Sequence, residues 1–332
     1  MLQERLLNIV RRFSGRRLSI VGDSIADKFL YGSIARVSRE APVFILRHES
    51  TETAPGGAAN CALNLAALGA SVSLVSVVGN DEAGNALRGK LSAAGVNVDG
   101  LVLSEKIQTT TKVRILAGHA HANKQQVIRV DYEDTPLNDA ALREALTASL
   151  QTSLAHAEAV ILSDYNYGLV DKQAVELVHE ARRSRNIPVL VDSRFRLSDF
   201  SGFTAATPNE DEVEHLIGSP VESLTQLETA AGRLRQELQF DALLVTRGRN
   251  GMMLVTADTA PLQIPAVGAQ AVDGTGAGDT VIATFALALA SNSSFAEAAQ
   301  LANYAGGLVV MKRGTASVSA VELEQSINDL KP

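Results

Sequence analysis

The chain has 332 residues, 46% of them hydrophobic, with 30 Lys and Arg against 37 Asp and Glu for a formal net charge of −7. That length can bury a large core, and it fits one α/β domain over 1–332 as well as it fits two. Net acidity excludes a nonspecific nucleic-acid binder but leaves room for a local basic pocket, so the expected partner is a small molecule rather than nucleic acid.

The N-terminal MLQERLLNIVRRFSGRRLSIVGD reads as an amphipathic helix feeding a strand. Charges interrupt it before a secretory or membrane-spanning run can form, so no membrane partner is expected. The single cysteine, Cys61, excludes an internal disulfide and points to the cytoplasm. Within NCALNLAALG it reads as core packing; as a nucleophile it would have no base nearby. From RLSIVGD through SVSLVSVVG, AEAVILSD and IPVLVDS to DALLVTRG, short apolar runs alternate with helical stretches. This predicts a three-layer α/β/α sandwich with a mostly parallel central sheet, and ligands at the carboxyl ends of its strands. Those ends carry GD at 22–23, SD at 163–164, DS at 192–193, TPN at 207–209 and TRG at 246–248. Two segments, 29–49 and 109–133, read as hairpin-like strands without a following helix and are expected to form a small β-sheet lid over that edge. His119 to His121 are expected at its hairpin tip, without further ligands for a metal.

Near the C-terminus, AVDGTGAGDTVIATFALALA sets Gly274, Gly276 and Gly278 before Asp279 and a long apolar run. The G-x-G-x-x-G dinucleotide fingerprint fails, because its last glycine is replaced by Asp279 and PAVGAQAVD is a poor strand. The near-miss P-loop GNALRGKL at 84–91 has Leu91 at the magnesium-binding position and reads as helix interior. What remains is a glycine turn opening a helix, whose exposed N–H groups can hold an anion. Asp279 beside it is either a base for an attacking hydroxyl or a helix cap.

DGTGAGDT at 273–280 and GGAANCALNLAALG at 56–69 resemble, in order and separation, the two signatures of the ribokinase/PfkB family of carbohydrate kinases. The resemblance covers nearly the whole chain and implies a ribokinase-like fold using ATP and Mg2+. It makes Asp279 the base, with the backbone of Thr275, Gly276, Ala277 and Gly278 as the anion hole. Asn209 and Glu212 in TPNEDEVEHLIG match the N-x-x-E motif that orders magnesium, through water. Thr246, Arg247, Gly248 and Gly251 match the nucleotide-side loop, Asn303 and Gly307 the adenine wall, and Asp273 a monovalent-cation site found in some members. On the sugar side stand Asp27 and Asn60, with Asp23 and Asp164 beside them and Gly56 and Gly57 leaving room for the ring. Homodimerisation through the lid is expected, because Val43, Phe44 and Ile45 would otherwise leave a sticky edge.

Within the family, VSREAPVFIL, QQVIRVDYE and LSDYNYG most resemble kinases that phosphorylate C1 of D-glycero-D-manno-heptose 7-phosphate, in a form with no nucleotidyltransferase domain following. Arg36, Lys112, Arg114 and Arg129 are candidates for the remote phosphate. Tyr167 stands where that subgroup has lysine, Ser193 and Arg194 where it has Pro-Lys, and Arg39 where proline is typical; Arg194 would restore charge near the nucleotide. Two alternatives stay open: another sugar, sugar-phosphate or nucleoside kinase, and a non-catalytic ligand-binding regulator.

Overall fold

The apolar runs form strands and the amphipathic stretches form helices in a computed structural model that describes residues 2–118, 124–133, 139–268 and 272–329. The strands are β1 (Arg17–Gly22), β2 (Ser24–Val37), β3 (Phe44–Gly57), β4 (Ser71–Gly79), β5 (Leu101–Ser104), β6 (Thr111–Gly118), β7 (Gln125–Tyr132), β8 (Ala159–Asp164), β9 (Val189–Ser193), β10 (Ala205–Ala206), β11 (Ala242–Thr246), β12 (Met252–Thr256) and β13 (Leu262–Ile264). The helices are α1 (Leu2–Val10), α2 (Ala58–Ala67), α3 (Glu82–Ala93), α4 (Ala140–Leu154), α5 (Lys172–Arg185), α6 (Glu210–Ile217), α7 (Leu224–Glu237), α8 (Ala277–Ala290), α9 (Phe295–Val309) and α10 (Ala320–Asn328). The near-miss P-loop lies inside α3, as its helical periodicity predicts.

Among the described residues, nine strands form one sheet in the order β13-β12-β11-β10-β9-β8-β1-β4-β5. Pairing is parallel from β11 to β5, and only β12 runs against its neighbours. Alternate strand residues serve opposite cores. Ile20 and Ile161 pack with Phe13, Leu65, Phe285 and Leu301 on one face, while Val21 and Leu162 pack with Leu150, Val178, Phe203 and Leu234 on the other. Chain order reverses between β1 and β8, which opens a crevice at their carboxyl ends, where Asp23 and Tyr165 follow.

The lid is a four-stranded sheet, ordered β3-β2-β6-β7. It reaches further toward the crevice than the expected 29–49 segment, because the β2–β3 ladder continues through Asp27↔Ala54 to Ser24↔Gly57. The turn-forming residues of GDS and APGG hide that continuation in the sequence. His119 to His121 lie outside the described residues. The buried Cys61 is core packing, its thiol pushed well up by burial.

Gly57, at the N-cap of α2, has φ +57, and a Cβ there would lie 2.5 Å from the Asp23 carbonyl oxygen. Gly57→Ala should therefore cost roughly 1–3 kcal/mol. The expected result is a lower urea midpoint with an unchanged slope.

Candidate active site

Most helices begin with a side-chain cap, such as Asp81 on α3, Asp171 on α5 and Ser294 on α9. Helix α8 does not: its N-cap is Gly276 at φ 77, with no side chain on its first amides. A Cβ at Gly276 would lie 2.5 Å from Asn60 Nδ2, so glycine is required by both conformation and space. Within the turn, the amides expected to form the anion hole are not equally free. Thr275 N–H donates to Asp273 Oδ1 at 2.9 Å and Ala277 N–H to the Gly274 carbonyl at 3.2 Å. The N–H groups of Gly276 and Gly278 make no hydrogen bond among the described residues. They are free donors at the positive end of an α-helix, and the N–H groups of Gly274 and Asp279 are likewise without a partner among the described residues. Asp273, offered by the resemblance to a monovalent cation, uses its second oxygen on Gly314 N–H, so its carboxylate ties two loops together.

Asp279, in the first turn of α8, is 4% exposed. Asn60 Nδ2 donates to its Oδ2 at 2.7 Å and the Tyr165 hydroxyl to its Oδ1 at 3.2 Å. Burial pushes its pKa up to about 7; the two donors pull down and the Asp27 carboxylate pushes up. Asn60, expected to hold a sugar hydroxyl, instead spends its amide on Asp279 while its Oδ1 receives Asn64 Nδ2 at 3.3 Å. A Cβ at Gly56 would lie 2.5 Å from Asp27 Oδ2, so Gly56 makes room for that carboxylate, whereas Gly57 lines the cavity above Asp279.

A cavity of about 240 Å³ lies above Asp279, walled by the lid residues Asp27, Lys112 and Arg114, by Tyr165 and Arg194, and by residues 274–279. Arg114 is ion-paired with Asp27 and lies over the Phe29 ring, so it is only partly available to a ligand. Lys112 Nζ sits 5.7 Å from the Tyr165 ring centroid and 6.0 Å from that of Tyr167. Burial, with Arg194 nearby, lowers its pKa. Asp23 Oδ2 accepts the N–H groups of Tyr165 and Tyr167 at 2.8 and 3.2 Å, which fixes the loop after β8. Burial raises the Asp23 pKa to about 6.

Two expected substrate contacts, Asp164 and Arg36, are not brought here, while Arg129, opposite Arg114 in the lid, lies near enough to act on Asp27 and Lys112. Asp164 is saturated by Ser193 and Arg196 beneath the loop. Arg129 is turned to Asp131 at 2.8 Å. Arg36 is exposed nine residues beyond Asp27 along β2, about 30 Å away at the strand rise.

A second cavity, of about 590 Å³, lies on the other side of the glycine turn and shares Gly274, Ala277 and Gly278 with the first. Thr246, Gly248, Gly251, Asn303 and Gly307 are among the residues that line it. Asn303 Nδ2 holds the Pro265 carbonyl at 2.8 Å, and a Cβ at Gly307 would meet the Val267 carbonyl at 2.1 Å, so both shape the 265–268 wall. Arg249 lines this cavity, whereas Arg247 pairs with Glu210 at 2.9 Å. Asn209 and Glu212 form a reciprocal capping box on α6, each backbone N–H donating to the other's side chain at 2.9 and 2.8 Å. Burial raises the Glu212 pKa, with Arg194 pulling it down.

The sequence reading gave no role to Tyr165, Arg249 or Thr315, and placed Asp192 only at a strand end on the ligand edge. Asp192, at the end of β9, has its pKa pushed well up by burial and by Glu212, Asp279 and Asp164. Its place in VDS was the signal available. Thr315 Oγ1 is buried on the first cavity without a hydrogen-bond partner.

Ribokinase from Arabidopsis thaliana, in complex with ribose and ATP, matches the structure with a TM-score of 0.73 at 22% identity, covering 94% of this chain and 99% of that one. Phosphofructokinase-2 from Escherichia coli, in complex with potassium, matches at 0.75 and 18%, covering 95% and 98%. The fold is therefore ribokinase-like. The pfkB family carbohydrate kinase profile matches residues 26–322. Bifunctional protein HldE of Caulobacter vibrioides is 41% identical over 325 residues, 97% of this chain and 65% of that protein. HldE of Hahella chejuensis is 42% identical over 320 residues, 95% of this chain and 64% of that protein. The chain thus spans about two-thirds of the length of these curated relatives. It belongs to the pfkB family of carbohydrate kinases and, as such, is a sugar phosphotransferase.

An aspartate whose folded pKa is raised favours folding while protonated and loses that contribution as pH rises from its unfolded value near 4 through about 7. Asp279→Asn should therefore raise Tm relative to the unsubstituted protein at pH 8, and much less at pH 5. Thermal melts at the two pH values check this.

Proposed function

We propose that the protein uses ATP to phosphorylate a sugar phosphate, with D-glycero-D-manno-heptose 7-phosphate, at C1, as substrate. The observation that supports the mechanism is the shared glycine turn: it presents free N–H groups, those of Gly276 and Gly278 among them, between a nucleotide-sized cavity and a smaller polar one containing a buried carboxylate. ATP would lie in the larger cavity with its γ-phosphate at Gly276 and Gly278, and the sugar over Asp279. Asp279 takes the proton of the acceptor hydroxyl; that oxygen forms a bond to the γ-phosphorus as the bond to the bridging oxygen breaks and ADP leaves. The two amides and the end of α8 stabilise the charge on the transferring group. Lys112 and Arg194 supply cations from the lid and from the loop after β9.

Magnesium fits this arrangement as a hydrated ion. No cluster of three or more His, Cys, Asp or Glu among the described residues forms a cage, whereas Asp192 and Glu212 lie near enough to couple electrostatically. An ion held by phosphates, waters and one or two carboxylates suits that donor set. When bound, it would neutralise charge between the β- and γ-phosphates. Asn209 contributes by holding Glu212 in place.

The heptose reading is supported by the subgroup motifs and by Lys112. The subgroup's lysine at 167 is replaced by tyrosine, and Lys112 Nζ lies over that ring, so a cation is retained near the same loop. A free sugar or nucleoside is the second reading, favoured by the Asp27–Arg114 pair and the Arg129–Asp131 pair, which occupy two of the four expected phosphate cations. The intact Asp279 arrangement argues against a non-catalytic regulator. We place the protein in the cytoplasm on its unpaired, buried Cys61; no described helix is long and apolar enough to cross a membrane.

ATP consumption with magnesium across heptose 7-phosphate, other sugar phosphates, free sugars and nucleosides tests the reading. Turnover is expected on heptose 7-phosphate, a loss of about 10²–10⁴ in kcat for Asp279→Asn, and a KM for the phosphorylated sugar raised roughly tenfold in Lys112→Met. Turnover confined to unphosphorylated acceptors would overturn the substrate, and an active Asp279→Asn would overturn the base.

The lid leaves Val37, Phe44, Ile128 and Tyr132 exposed. We infer that two lids pair to form a homodimer. Sedimentation should show a dimer that Phe44→Glu dissociates; a monomer at every concentration overturns the inference.

A further inference from the structure

The Asp279 carboxylate has one protein side-chain donor on each oxygen among the described residues: Asn60 from α2 and Tyr165 from the loop after β8. Asn60 belongs to a glycine-rich signature, whereas Tyr165 has no assigned role. Its placement is nevertheless constrained from two sides. Asp23 Oδ2 holds the Tyr165 and Tyr167 N–H groups, and the Lys112 ammonium lies above the Tyr165 ring. Burial and Asp279 keep the phenol protonated far above its ordinary range, so it acts as a donor.

We propose that Tyr165 is a positioning residue for the Asp279 base: its hydroxyl, opposite the Asn60 amide, fixes the carboxylate plane and favours its ionised form as the acceptor hydroxyl arrives. The proposal rests on Asp279 acting as the base. A hydrogen bond to the charged form opposes the effect of burial, bringing the group's ionisation toward neutral pH. From the lid, Asp27, Lys112 and Arg114 face the same space; Arg194 faces it from the loop after β9. Asp192 from β9 and Cys61 from α2 interact with Asp279 through their charged forms. Asp23 acts on it only through the loop that carries Tyr165.

The test is Tyr165→Phe, which keeps the ring and removes the donor. Ionisation of Asp279 is followed in the substrate-free protein by infrared difference spectroscopy, with the carboxyl band assigned by its absence in Asp279→Asn. The midpoint should move up by about one pH unit. The acid limb of kcat/KM on the turned-over sugar should move with it, while the KM for ATP stays unchanged. A fluorinated tyrosine at 165, a stronger donor, should move the midpoint down. An unmoved midpoint in a folded Tyr165→Phe protein overturns the role of Tyr165. Full turnover by Asp279→Asn overturns the base assignment instead, so the two failures are distinguishable.

Discussion

The contact between the Asn60 amide and the Asp279 carboxylate, 2.7 Å across, joins positions more than two hundred residues apart. Helix α2 must lie alongside α8 for it to form, and the polar seam between them continues as Thr280 donates to Asn64 Oδ1 at 2.9 Å. Gly276 lets the turn before α8 approach Asn60, and Gly57 lets the chain pass from the lid into α2 beside Asp23. The two glycine-rich signatures are therefore halves of one packing interface. Each supplies the clearance or the partner that the other needs.

That interface buries a carboxylate in a region whose other charges are only partly compensated. Asp23, Asp27, Asp192 and Glu212 are all displaced upward by burial. The nearby cations come from Arg114, Lys112 and Arg194. Such a site trades folding stability for groups poised near neutral pH and for electrostatic interactions strengthened by exclusion of water. The large cores on either side of the sheet make this tolerable, since burying side chains such as Phe285 and Phe203 contributes roughly 1.5–3 kcal/mol each.

Much of the architecture was legible because two-sided burial writes itself as unbroken apolar strands: SIVG and VILSD left little choice but a parallel sheet. The lid was legible as an interruption of the βα rhythm, although its roots at Ser24 and Gly57 were masked by turn-forming residues. The site was read less completely, for a physical reason. Sequence motifs identify residue types that meet, but not how their hydrogen-bonding capacity is divided. Asn60 and Thr275 are where a ligand contact was expected, yet the Asn60 amide is bonded to Asp279 and the Thr275 N–H to Asp273, and Asp164 lies beneath the loop, bonded to Ser193 and Arg196. Tyr165 was missed because its role arises from a loop folded onto Asp23, a relation with no periodic trace.

The glycine turn also bears on how such a protein can change over evolutionary time. Gly274, Ala277 and Gly278 belong to both cavities, so the partition between them is largely backbone and offers few side chains to vary. The outer walls are different in origin: of these two cavities, the lid strands line the smaller, while β11, β12 and α9 line the larger. Acceptor preference can drift by substitution in the lid without disturbing the opposite chamber, but an alteration of the partition is felt on both sides at once. One wall is held nearly fixed, and diversity is confined to the sheet that covers it.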